Sequence, residues 1–73
     1  MARYDLTETE ILVLTAMAHG ATNRGIADLM FLKEKTIKSH VYHIFLKLES
    51  KTRTEAVWTG LKKGYITPPE RES

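Results

Sequence analysis

The residues with chemical potential crowd into one short stretch: Ser39 and His40 set a hydroxyl beside an imidazole, and His43 adds a second imidazole three residues on. Such groups can make a nucleophile with its base, or half of a metal site. On a helix, however, adjacent side chains point about 100° apart, so His40 cannot deprotonate Ser39. His40 and His43 have a spacing that can share a metal, yet no Glu-x-x-His motif and no cysteine completes a ligand set. A glycine-rich phosphate loop is also missing. Catalysis, a resident metal and a cofactor are therefore not expected. What the spacing does allow is recognition of a polyanion. Counted in helical steps, Lys35, Lys38, Ser39 and Tyr42 fall on one face, while Ile37, Val41, Ile44, Phe45 and Leu48 fall on the other. One face can bury and the other can meet phosphates and base edges.

Charge is distributed to match. Residues 1–32 carry Arg3 and Arg24 against Asp5, Glu8, Glu10 and Asp28, a net of −2. Residues 33–53 carry Lys33, Lys35, Lys38, Lys47, Lys51 and Arg53 against Glu34 and Glu49, a net of +4, and the remainder balances. Local positive charge is the footprint of a nucleic-acid surface, because phosphate neutralisation releases counterions. An ordinary solvated face is the alternative reading of a charge run; the turn ahead of this helix and its mixed polar row favour the nucleic acid.

The elements that must position this face are helices. With 73 residues and 42% apolar content, the chain has room for one small domain, residues 1–73, with one core. Thr7-x-x-Glu10 and Thr52-x-x-Glu55 read as capping boxes, and Gly20 and Gly64 as left-handed helix stops. The pattern predicts an all-α fold with helices at about 8–19, 23–31, 34–48 and 53–63, the core spanning about 5–66 and a frayed tail at 67–73. Phe31-Leu32-Lys33 forms a short break before the basic third helix, and Ala27 is small enough to let another helix cross closely. The lack of cysteine excludes disulfides and points to a reducing compartment. No apolar run approaches the roughly 20 residues needed to span a bilayer, so a soluble, cytoplasmic protein with no membrane partner is expected.

Several blocks at consistent spacing then resemble a known family. Leu6-Thr7-x-x-Glu10, Leu14, Ala18-x-Gly20-x-Thr22-Asn23, Ile26-Ala27, Lys35-Thr36-Ile37-Lys38-x-His40, Lys47-Leu48, Arg53-x-x-Ala56-Val57 and Gly64 are similar to the LuxR/FixJ (GerE-like) helix-turn-helix domain, across roughly residues 5–66. That resemblance implies a four-helix domain that binds double-stranded DNA, its third helix in the major groove, commonly dimeric through the fourth helix. It also implies a bacterial or phage-type transcription regulator, nucleoid-associated when bound, with RNA polymerase or a larger LuxR-type regulator as further partners.

By position, the resemblance makes Lys38, Ser39 and Tyr42 the base-edge readers. Lys38 can donate to guanine O6 and N7, Ser39 can donate or accept, and Tyr42 can reach a base or a phosphate. Thr36, His40, His43 and Lys47 lie along a flank of the same helix, where they can meet the sugar-phosphate backbone, and Thr22, Asn23, Lys35 and Arg53 complete that grip. For each of these a solvated side chain is the plain alternative, and His40 can instead bond a neighbouring helix or loop.

Two positions depart from the family pattern. Gly25 stands where Glu is usual, which leaves the Thr22 box without its carboxylate and costs about 1 kcal/mol relative to alanine. Lys33 stands where Ser is common and cannot accept a capping bond, although Glu34 can compensate through the helix dipole and Lys33 can reach a phosphate. On the fourth helix Val57, Gly60 and Leu61 form an apolar stripe, with Trp58 packed at its edge or back in the core. The stripe suits a homodimer with Gly60 as the point of close approach, on an imperfect palindrome with half-sites about one helical turn apart; completing a monomer core is its other reading. A module that pairs with a larger LuxR-type regulator without reading DNA is the rival function. A third possibility is an excised piece of a longer regulator, against which Met1 and the lack of an obvious tag weigh mildly. Operator, sign of regulation and signal are not legible.

Overall fold

Each helix begins where a side chain can satisfy the amides that a helix start leaves open. In a computed structural model that describes residues 5–68, α1 spans Glu8–Ala18, α2 Asn23–Met30, α3 Glu34–Leu48 and α4 Arg53–Lys63. No strand occurs among the described residues. Thr7 caps α1 by accepting from the Glu10 amide at 3.1 Å, and Glu10 Oε1 accepts from the Thr7 amide at 2.9 Å, closing the predicted box. Thr22 and Thr52 cap α2 and α4 by accepting from the Gly25 and Glu55 amides, each at 3.0 Å. The second predicted box is not reciprocal, however. Glu55 accepts from the amide of Lys51 at 2.7 Å rather than from Thr52, so the carboxylate ties down the loop one residue upstream. Lys33, at the start of α3, makes no capping bond with its side chain, as its chemistry requires.

All four helices end alike. In each, the amide just after the residue of positive φ reaches back to a carbonyl five residues earlier, as in Ala21 to Ala16 and Tyr65 to Gly60, the pattern of a Schellman motif. The motif needs one residue of positive φ. Gly20 and Gly64 supply it twice, at 87° and 83°, but Phe31 and Glu49 supply it at 58° and 55°. Side chains are disfavoured there by roughly 1–2 kcal/mol. The left-handed Phe31 stops α2 one residue before its predicted end at 31, and α1 gives way to the turn at His19 and Gly20 one residue before its predicted end at 19.

Burial follows the helical spacing. Val13, Leu14 and Met17 of α1, Ile26 and Ala27 of α2, Ile37, Val41, Ile44 and Leu48 of α3 and Ala56 of α4 form one core, closed by Leu6 and Ile66. Helix α3 packs against each of the other three, and α1 also packs against α4. That last contact is tight. A Cβ added at Gly60 would stand 2.7 Å from Leu14 Cδ2, so glycine permits α4 to cross α1. Thr67 and Pro68 are exposed, and the rest of the predicted tail lies outside the described residues.

Candidate nucleic-acid interface

With Ile37 and Ile44 wholly buried and Val41 and Leu48 nearly so, the opposite side of α3 has no alternative but to face outward. Lys35, Lys38, Ser39 and Tyr42 are all exposed there, as the spacing predicts. The three-residue turn Phe31-Leu32-Lys33 brings α2 against α3, and α2 and α3 pack closely. The result is a helix-turn-helix pair whose second helix presents two ammonium groups, a hydroxyl and a phenol on one row. Its dimensions suit a major groove about 12 Å wide. His43 is exposed beside Tyr42, the two rings 5.8 Å apart and tilted by 56°.

The flank of α3 divides. Thr36 and His40 are half-buried, while Lys47, expected on the DNA backbone, is engaged elsewhere. Its Nζ stands 2.7 Å from Glu10 Oε1. Burial pushes the Glu10 carboxyl up, but the hydrogen bond from Lys47, the Thr7 amide and the nearby positive charge outweigh it and hold the group below its ordinary value. Lys47, expected at a phosphate, here ties α3 to the start of α1. A buried carboxylate of this kind needs its partner, since an unpaired buried charge is costly.

Arg53 and Asn23, expected to complete the grip on the DNA backbone, are bonded to each other. Arg53 Nη1 donates to Asn23 Oδ1 and Nη2 to the Ala21 carbonyl, both at 2.8 Å. The guanidinium clamps the start of α4 to the start of α2. Thr22, beside this clamp, is exposed and spends one lone pair on its cap.

On α4 the predicted stripe is split by the fold. Gly60 is buried against Leu14 and Ile66 of the same chain, so it is not available as a point of approach for a second copy. Val57 and Leu61 are half-buried, and Trp58 is 62% exposed, which excludes it from the core. Together with Met17, Ala18, Arg53 and Thr54 they line a groove of about 460 Å³ between α1 and α4. Sequence reasoning missed the α1 wall of this groove, because the pairing of α1 with α4 is a long-range fact. It also passed over Leu46, which is 57% exposed on the outward row of α3; its place four residues after Tyr42 was the available signal.

Known proteins share this arrangement. Residues 4–59 match the family described as bacterial regulatory proteins, luxR family. The chain is 42% identical over 62 residues to the transcriptional regulatory protein YdfI of Bacillus subtilis, covering 85% of this chain and 29% of that protein. It is 45% identical over 64 residues to the DNA-binding transcriptional activator DevR/DosR of Mycobacterium tuberculosis, covering 88% of this chain and 30% of that one. Among solved structures it is similar to the response regulator ChrA of a heme-sensing two-component system, with a TM-score of 0.85 and 33% identity over 90% of this chain and 33% of that chain. The chain thus spans under a third of the length of these two curated relatives. With its helix order, its outward basic row and a family match over most of its length, this chain belongs to the luxR family of bacterial regulatory proteins.

Proposed function

We propose that the chain binds double-stranded DNA in a sequence-specific manner and regulates transcription, with α3 lying in the major groove. The observation that carries this reading is the outward row Lys35, Lys38, Ser39 and Tyr42, held opposite a fully packed row on the same helix. Lys38, Ser39 and Tyr42 meet base edges; Lys35, Thr36, His43 and the exposed Thr22 meet the sugar-phosphate backbone. Half-buried His40 lies on the flank of this contact. Lys47, Asn23 and Arg53 hold helices in place. Selection of bound sequences from a random duplex pool, at stated salt, tests the reading. A recovered consensus supports it, and retention of no duplex rejects it.

The binding unit in this proposal is a homodimer formed along the α1–α4 groove, with Trp58, Val57 and Leu61 as its apolar contact and the site an imperfect palindrome. An exposed tryptophan at the rim of an apolar groove is the feature that supports pairing, because aromatic anchors in pockets dominate interfaces. The same groove also supports the rival reading, pairing with a larger regulator of the family. Sedimentation over a dilution series, with and without duplex, separates the two: self-association favours the homodimer, whereas a monomer that pairs only with a larger regulator favours the rival.

A further inference from the structure

Leu46 is the one aliphatic side chain on the outward row of α3, and it leaves more than half of its surface in solvent. By helical geometry it stands one turn beyond Tyr42 and two beyond Ser39, so residues 39, 42 and 46 form a strip about 10 Å long. That length fits within the major groove. The hydroxyl of Ser39 and the phenol of Tyr42 match the oxygen and nitrogen atoms of base edges. The isobutyl group of Leu46 matches none of these. The apolar group displayed in the major groove is the C5-methyl of thymine. An apolar protein partner is the other conceivable occupant, but the strip is bordered by exposed Lys35, Lys38 and His43, a setting that suits a polyanion.

We infer that Leu46 is a specificity-determining residue that packs against a thymine C5-methyl group, in the base pair next to the one met by Tyr42. The inference rests on the DNA reading proposed above and names a preference at one position of each half-site. Methyl burial against a leucine excludes water from apolar surface on both sides, so the contact favours thymine over cytosine, which lacks the methyl, without any hydrogen bond.

The test replaces thymines by deoxyuridine one at a time in a duplex recovered by selection, which removes only the methyl. Affinities are measured at one salt concentration for the unmodified protein and for Leu46→Ala, with circular dichroism confirming that the exposed position leaves the helices intact. At one thymine per half-site, the unmodified protein should lose about fourfold in affinity, the scale of one buried methyl group. Leu46→Ala should be weaker on the thymine duplex by a similar factor and should not distinguish deoxyuridine at that position. Leu46→Gln should change the base selected there. If no single methyl matters to the unmodified protein, or if Leu46→Ala keeps the full methyl sensitivity, the inference is overturned while DNA binding stands. It is likewise overturned if Leu46→Ala loses a protein complex and no duplex affinity. Failure of the unmodified protein to hold any duplex would overturn the DNA reading itself.

Discussion

Lys47 Nζ and the Thr7 amide converge on the same oxygen of Glu10, at 2.7 and 2.9 Å. One carboxylate oxygen therefore closes the cap of α1 and fastens α3 to it. Because Glu10 is held below its ordinary value when folded, its contribution is complete at neutral pH and is lost as pH falls through the ordinary carboxylate range and below. Lys47→Met should cost about 1–3 kcal/mol at neutral pH, the scale of a hydrogen bond to a charged group. Urea midpoints measured across pH should show the gap between Lys47→Met and the unmodified protein narrowing in acid. A constant gap would contradict the role assigned to this pair.

Arg53→Ala should loosen the start of α2, since two 2.8 Å charge-assisted bonds go with it. A stability loss of about 1–3 kcal/mol is expected. Hydrogen exchange should report it as faster exchange of amides at the start of α2. Unchanged protection there would show that the clamp is dispensable.

Gly60→Ala places a methyl 2.7 Å from Leu14 Cδ2, and Leu14 is wholly buried with little room to yield. Overpacking of this kind costs about 1–3 kcal/mol. The denaturation midpoint should fall accordingly. A variant as stable as the parent would mean that α1 and α4 separate without penalty.

Phe31→Gly and Glu49→Gly should move stability in the opposite direction. Both side chains sit at positive φ, and Phe31 is 93% exposed, so removing it sacrifices no core. Relief of left-handed strain outweighs the added freedom of the unfolded chain, for a gain of about 0.5–1 kcal/mol each. Thermal unfolding of the two variants checks this directly.

Lys38→Ala and Lys35→Ala should differ in kind. Loss of a base-edge donor relaxes preference at one position and costs about 1–3 kcal/mol on the best site. Loss of a phosphate contact weakens all sequences alike and lowers the salt slope by about 1. Titrations at several salt concentrations, on selected and scrambled duplexes, distinguish the two.

The features that local chemistry decides were legible in the residues. A cap such as Thr7 with Glu10 needs only four consecutive positions, and the buried row Ile37, Val41, Ile44 and Leu48 announces its own helix. The outward row follows as its complement. What stayed hidden depends on which helices meet. Lys47 finds Glu10 across 37 residues and Arg53 finds Asn23 across 30, and no spacing rule relates them. Gly60 looked like a gap for a second copy because a small residue on an apolar stripe reads the same way whichever neighbour fills it. Phe31 and Glu49 carry no glycine signal, so the left-handed turns they form were not legible, although the end of α3 at Leu48 was.

Arg53 lines the α1–α4 groove, and its guanidinium grips Asn23 and Ala21. It straddles two surfaces, and a change there registers on both. Experiments that alter this arginine to weaken self-association will disturb the helix-turn-helix entrance as well, so Trp58 is the cleaner handle for dissecting assembly.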